Sequence, residues 1–202
     1  MTEKSAHWEK VYETKSPQEV SWTQEVPKTS LDFIQKYALG KSSSIIDIGG
    51  GDSNLVDHLL DLGYSDITVL DISAKAIERA KLRLGDRAEM VNWIVSDIVD
   101  FKPDRTYDIW HDRAAFHFLT YSEDITYYVQ QLNEHAQTLV LGTFSTDGPL
   151  KCSGLEITQY SEDSMSQILR EFEVKEFLSE VHNTPFDTTQ NFLFGVFSNS
   201  SK

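Results

Sequence analysis

The run IIDIGGGDSNLV, from Ile45 to Val56, and the ITVLDIS that follows it hold residues whose types and spacing suit the binding of a nucleoside. Gly49, Gly50 and Gly51 lack a Cβ, so the backbone there can adopt positive φ and approach a ligand closely. Ile45, Ile46 and Ile48 before them form a β-branched run suited to a strand buried on both faces, and a helix-like pattern follows. Strand, tight turn and helix in that order aim free helical N–H groups into the space beside the glycines. Asp71 stands about 20 residues further on, at the expected end of the next strand, where a carboxylate can accept hydrogen bonds from ribose hydroxyls.

Two ligand classes use such a site. Dinucleotide sites favour GxGxxG, but counting from Gly49 gives Gly49, Gly51 and then Asn54, so the glycine that permits close helix packing is missing. Asp52 would repel a pyrophosphate, whereas a ligand carrying a sulfonium and an ammonium tolerates an anion there. Charge therefore favours S-adenosylmethionine over NAD.

DIGGG, Asp47 to Gly51, resembles the first motif of class I S-adenosylmethionine-dependent methyltransferases of the small, single-domain bacterial type, with Ser53 in place of the usual third glycine. In VNWIVSDIVDF, Asp97 resembles that family's adenine-recognition acid and Ile98 its apolar neighbour against the ring. YDIWHDRAAFHFL resembles the fourth motif, at the mouth of the site. The resemblance runs from about Ser43 to Ser198. It implies S-adenosylmethionine as cofactor, with Asp47, Gly49, Gly50, Gly51 and Asn54 near the methionine part, Asp71 and Ile72 at the ribose, Asp97 and Ile98 at the adenine, and His111 at the mouth. The product would be S-adenosylhomocysteine, and the acceptor a small molecule in preference to a protein side chain, although lysine-modifying members of the wider family are equally compact. A noncatalytic S-adenosylmethionine-binding protein and an NAD-dependent oxidoreductase are the alternatives.

Methyl transfer from a sulfonium is an in-line displacement of an already activated donor, so the protein must chiefly position the acceptor and share its proton, with no metal required. His111, Asp112 and Arg113 follow the expected fourth strand at the edge where open α/β sheets bind ligands. His111 is the candidate base because imidazole titrates near neutral pH, with Asp112 orienting it or contacting cofactor or acceptor. Arg113 and His117 could face the acceptor; the plainer readings are a loop-tying Asp–Arg pair and a packing histidine between Phe116 and Phe118. Trp8, Tyr12 and Trp22 could cover the cofactor as a lid and form the wall of an acceptor pocket, Trp22 above all as a substrate-facing residue, or simply pack an N-terminal helix on the sheet. The loop from Phe144 to Leu155 could close the opposite side.

The elements that must position these residues alternate. Helical spacing covers Leu31 to Leu39, Ser53 to Gly63, Ala74 to Leu84 and Glu123 to Glu134; strand patterns cover Asp66 to Asp71, Met90 to Val95, Tyr107 to Asp112 and Ala136 to Phe144. Alternation implies a parallel sheet covered by helices. Val174 to Val181 and Phe192 to Ser198 have no helix between them and suit a closing antiparallel hairpin. The expectation is an α/β fold, a Rossmann-like seven-stranded mostly parallel sheet with helices on both faces, forming one domain over residues 1–202: an N-terminal helical or lid segment, 1–42, and a core, 43–198. The terminal SNSSK is expected to fray.

The chain has 202 residues, 40% hydrophobic and 25% charged, which suits one core. A net charge of −14 argues against a nucleic-acid backbone footprint, which needs clustered lysine and arginine. Cys152 is the only cysteine, so neither an internal disulfide nor a cysteine-cluster zinc site can form. No stretch approaches the roughly 18 apolar residues of a membrane span and no signal-like apolar run follows the first charges, so a cytoplasmic protein is expected.

Overall fold

The computed structural model describes residues 2–199. Its elements run α1 (Glu3–Thr14), α2 (Lys28–Tyr37), β1 (Ser44–Ile48), α3 (Leu55–Asp61), β2 (Asp66–Asp71), α4 (Ala74–Leu84), β3 (Val91–Val95), β4 (Tyr107–Arg113), α5 (Ser122–His135), β5 (Ala136–Phe144), β6 (Lys151–Cys152), β7 (Leu155–Glu156), α6 (Glu162–Ile168), β8 (Phe172–Asn183) and β9 (Thr189–Asn199). Seven strands form one sheet in the order β3-β2-β1-β4-β5-β9-β8. The first five are mutually parallel, and β9 runs antiparallel between β5 and β8. This is the expected Rossmann-like sheet with its C-terminal hairpin.

Side-chain parity divides the core in two. In β1 and β4, Ile45 and Ile109 pack on one face with Leu31 and Ile34 of α2 and Leu55 and Leu59 of α3. Ile46, Ile48 and Trp110 point the other way, onto Tyr128 and Leu132 of α5 and Met165 of α6. Successive strand residues alternate faces, so this division also decides which polar residues of β4 can meet those of β1. The order of strands reverses at β1, which pairs with both β2 and β4, and open α/β sheets bind ligands beyond the strand ends at such a point.

Several boundaries differ from expectation. α2 starts a turn earlier, after Pro27, and stops at Tyr37, leaving Leu39 exposed; a proline, with its fixed φ and no N–H to satisfy, suits a helix start. A 3₁₀ turn, Gly85–Met90, takes Met90 from β3. Between β5 and β8 lie two elements that were not anticipated. The β6–β7 hairpin turns through Ser153 and Gly154, both at positive φ, and α6 is only seven residues long, started by the Ser161 side chain accepting from Ser164 N. Both are too short to leave a periodic signal. β8 and β9 extend beyond their apolar runs because pairing continues to Asn183 opposite Thr189. Ser198 and Asn199 are paired in β9, and the rest of the expected fraying tail lies outside the described residues.

Candidate functional site

The glycine turn leaves β1 at Ile48. Gly49 has φ +65° and a Cβ built on it would stand 2.7 Å from Ala115 Cβ; Gly51 has φ +50° and its Cβ would stand 2.7 Å from Tyr12 Oη and 3.1 Å from Asp71 Oδ2. Backbone conformation and crowding therefore both demand glycine at these two positions. Asp71, at the end of β2, accepts from Ser73 N at 2.8 Å, and Ser73 in turn caps α4 by accepting from Ala76 N. Burial, reinforced by Asp52 and Asp47, raises the Asp71 carboxyl to about 7, against the lowering effect of its backbone donors. Burial, then Asp71 and Asp52, likewise hold the Tyr12 phenol well above its usual range, so it remains a neutral donor.

A cavity of about 530 Å³ opens at the switch point, a volume within the roughly 300–1,000 Å³ of small-molecule sites. On its wall stand Asp47, Gly49, Gly50, Asn54, Asp71, Ile72, Asp97 and Ile98, with His111, Arg113 and Trp22 beyond them. Gly51 sits behind the wall, against Tyr12. Asn54 turns its amide outward to the backbone, donating to Gln24 O at 3.1 Å and Glu25 O at 3.3 Å, and so ties the segment before α2 to the glycine turn. Asp97 accepts from Val99 N at 3.3 Å, with Lys4 Nζ 3.9 Å from its other oxygen. Asp52 also lines the cavity and is met by Arg79 at 3.4 Å.

His111 is buried with both ring nitrogens engaged: Nδ1 donates to Asp47 Oδ1 at 2.7 Å, and Ser30 Oγ lies 2.8 Å from Nε2. Cross-strand register puts Asp47 of β1 directly beside His111 of β4. Asp112 is not at the site. It lies on the opposite face of β4, fully buried, accepting from Ala115 N and Phe116 N at 3.0 Å each and from Tyr128 Oη at 2.7 Å. Burial raises it to about 6. The expectation that it orients His111 or touches a ligand is corrected by strand alternation: the Asp112 side chain points to the face opposite His111 and is not part of the cavity wall. His117 is also displaced from the wall. It is enclosed in a 3₁₀ turn, Phe116–Phe118, where Nδ1 accepts from Phe144 N, and burial followed by the nearby Arg113 pulls its pKa down to about 3. A neutral imidazole packed 4.6 Å from the Phe144 ring is a core residue.

The N-terminal segment closes the top. Trp8 contacts Trp22 at 5.7 Å and Phe118 at 5.2 Å between ring centroids, and all three line the cavity with Tyr12. α1 is moored to α4 by Ala74 N donating to Glu9 and by a Lys75–Glu13 ion pair at 3.2 Å. The Phe144–Leu155 loop contributes only Cys152 to the wall. Ser30, Lys4 and Cys152 were not anticipated as wall residues, since nothing local distinguishes them. Ala114, also on the wall, adopts φ +68° directly after Arg113, a strained conformation for a residue with a side chain and one that clusters at functional sites.

Five acidic residues, Glu25, Asp47, Asp52, Asp71 and Asp97, line this cavity with a glycine turn that brings bare backbone to its surface. That charge suits a nucleoside bearing a sulfonium and an ammonium and opposes a diphosphate. Sheet order, switch point and glycine turn together define a Rossmann-like nucleoside-binding protein.

Residues 46–138 match the family model of a methyltransferase domain. The chain is 29% identical over 122 residues to the mouse eEF1A lysine and N-terminal methyltransferase, covering 59% of this chain and 17% of that protein. It is 32% identical over 125 residues to the malonyl-[acyl-carrier protein] O-methyltransferase of Anoxybacillus flavithermus, covering 61% of this chain and 46% of that one. The chain thus spans less than half the length of these curated relatives. Among solved structures, a methyltransferase of Anabaena variabilis superposes with a TM-score of 0.75 at 14% identity, covering 98% of this chain and 96% of the other. The N-methyltransferase NodS of Bradyrhizobium japonicum, solved with S-adenosylhomocysteine, gives 0.69 at 17% identity, covering 86% and 85%. These similarities, with the family match confined to residues 46–138, support a class I S-adenosylmethionine-dependent methyltransferase. S-adenosylmethionine is the family's cofactor, and the hydride-transfer alternative is set aside.

Proposed function

We propose that the protein methylates a small organic acceptor held between the glycine turn and the Trp22–Arg113 end of the cavity. The observation that carries the reading is the convergence on one cavity of Gly49 and Gly50, the strand-end acids Asp71 and Asp97, and an aromatic and cationic far wall. Asp71 accepts from the ribose hydroxyls, Asp97 takes the adenine amino group, Ile72 and Ile98 pack on the nucleoside, and the glycine turn approaches the methionine part. When bound, the cofactor supplies an activated methyl on sulfonium. His111, held by Asp47 and Ser30, acts as a positioning residue that fixes the Asp47 carboxylate beside the turn. The Trp8, Tyr12 and Trp22 rings exclude water from the reacting centre.

A small acceptor is favoured because Trp8 packs edge-on against both Trp22 and Phe118 over the cavity, leaving a pocket more than a groove. A protein side chain is the second reading, prompted by the relative named for eEF1A lysine. Calorimetric titration with S-adenosylmethionine, S-adenosylhomocysteine and NADH tests the reading. Binding of the first two alone is expected, and binding of NADH alone would overturn it.

A further inference from the structure

Arg113 stands out among the cations of the cavity wall because it forms no ion pair among the described residues. Its Nη1 donates to Trp22 O at 3.0 Å, and its guanidinium carbon lies 4.5 Å from the centre of the Phe192 ring. Nε and Nη2 are sealed from solvent with no hydrogen-bond partner among the described residues. No ion pair to Arg113 is found among the described residues either, whereas Lys4, Arg79 and Arg83 on or near the same cavity each meet an aspartate. Glu180 and Asp47 act on it as opposite charges without forming an ion pair, and its other titratable neighbours are uncharged. The Cys152 thiol is pushed up to about 12 mainly by burial, and His117 and His182 are pulled down, by burial first and then by Arg113 itself. An unpaired buried cation with two orphaned donors costs stability, and such a cost persists where a ligand relieves it.

The two orphaned donors are adjacent. Nε–H and Nη2–H point the same way along one edge of the planar guanidinium, spaced to meet both oxygens of a carboxylate. We propose that Arg113 anchors a carboxylate carried by the methyl acceptor at the Trp22–Cys152 end of the cavity, bound side-on through Nε–H and Nη2–H once a turn of the guanidinium brings these sealed donors to the cavity wall. This deepens the small-acceptor reading of the cavity and rests on it. A single negative charge is the right complement: Arg113 acts alone, and Asp47 and Glu180 lie close enough to oppose a dianion such as a phosphate monoester. The aromatic wall of Trp22 and Phe118 suits an apolar or aryl body attached to that carboxylate. The acidic balance of the whole chain makes the point sharper, because a protein of net charge −14 has no general attraction for anions and must build one locally.

The test uses the whole protein saturated with S-adenosylhomocysteine, titrated with phenylacetate, with its neutral isostere phenylacetamide and with phenyl phosphate. Charge-assisted hydrogen bonds predict that the acid binds roughly ten- to a hundredfold more tightly than the amide. In the ¹H–¹⁵N spectrum of the same sample, the Arg113 Nε–H resonance should move downfield with phenylacetate and stay with phenylacetamide. Arg113→Gln should abolish the preference. Arg113→Lys, which keeps the charge but loses the fork, should retain part of it, as a merely structural role would not. Equal affinity for acid and amide, no detectable binding of the acid, tighter binding of the phosphate, or an unmoved Arg113 resonance each overturns the proposal. The wild-type comparison and the resonance stand even if the variants fold poorly. Failure to bind S-adenosylhomocysteine in the first place would instead count against the methyltransferase reading, so the two failures are separable.

Discussion

Replacing Asp71 by asparagine should make the ligand-free protein more stable while weakening its hold on S-adenosylmethionine. Asp71 is 5% exposed, and its carboxyl is raised from 3.8 to about 7, chiefly by burial and then by Asp52 and Asp47. The folded state therefore holds this proton longer than the unfolded chain does. Ionisation costs nothing below pH 4, costs progressively more as pH rises towards 7, and reaches a plateau of about 4 kcal/mol above it. About 2 kcal/mol of that accrues between pH 5.5 and pH 8. Asparagine keeps the shape and can still accept from Ser73 N but carries no charge to bury. Thermal unfolding of parent and variant should diverge by that amount as pH rises from 5.5 to 8, a window that stays above the isoelectric point near 4.7. At the same time the ribose hydroxyls lose a charged acceptor, worth ~3 kcal/mol or somewhat over a hundredfold in Kd by calorimetry. A variant that is no more stable than its parent at pH 8, or one that binds the cofactor as tightly, would refute this account of Asp71.

Gly49→Ala combines positive φ with a Cβ 2.7 Å from Ala115, so a loss of ~2 kcal/mol in stability and a weaker complex with S-adenosylhomocysteine are expected; unchanged melting would mean the turn relaxes freely. Tyr128→Phe removes the hydroxyl that donates to Asp112 at 2.7 Å, which should lower stability by ~1–3 kcal/mol while leaving S-adenosylhomocysteine affinity within a few-fold; a large loss of affinity would return Asp112 to the site. His111→Ala strips Asp47 of its partner, and the KM for S-adenosylmethionine should rise along with any fall in kcat. A fall in kcat alone, with KM intact, would mean that the imidazole is a base after all.

Periodicity and glycine chemistry were enough to specify the alternation of strands and helices, the turn at Gly49 to Gly51, and the strand-end acids Asp71 and Asp97, because each depends on neighbours within a few residues. The β2 and β5 strands and α4 follow their patterns from first residue to last. Short elements such as α6 and the β6–β7 hairpin left no pattern, being built from caps and turn residues over fewer than two helical turns or two strand repeats. Alternation along β4 was itself legible: His111 and Arg113 share a parity that Asp112 does not, and that rule alone separates them. What no local rule supplies is the meeting of Asp47 with His111 across 64 residues, of Ser30 with the same ring across 81, and of Trp22 with Arg113 across 91. Those contacts arise because β1 and β4 become neighbours at the point where the sheet reverses its order, and because α2 and the segment before it cover that face. The sequence therefore determined which chemistry was present, while tertiary packing decided which groups were paired and which were left without a partner: burial and hydrogen-bond satisfaction are properties of neighbours distant in the chain.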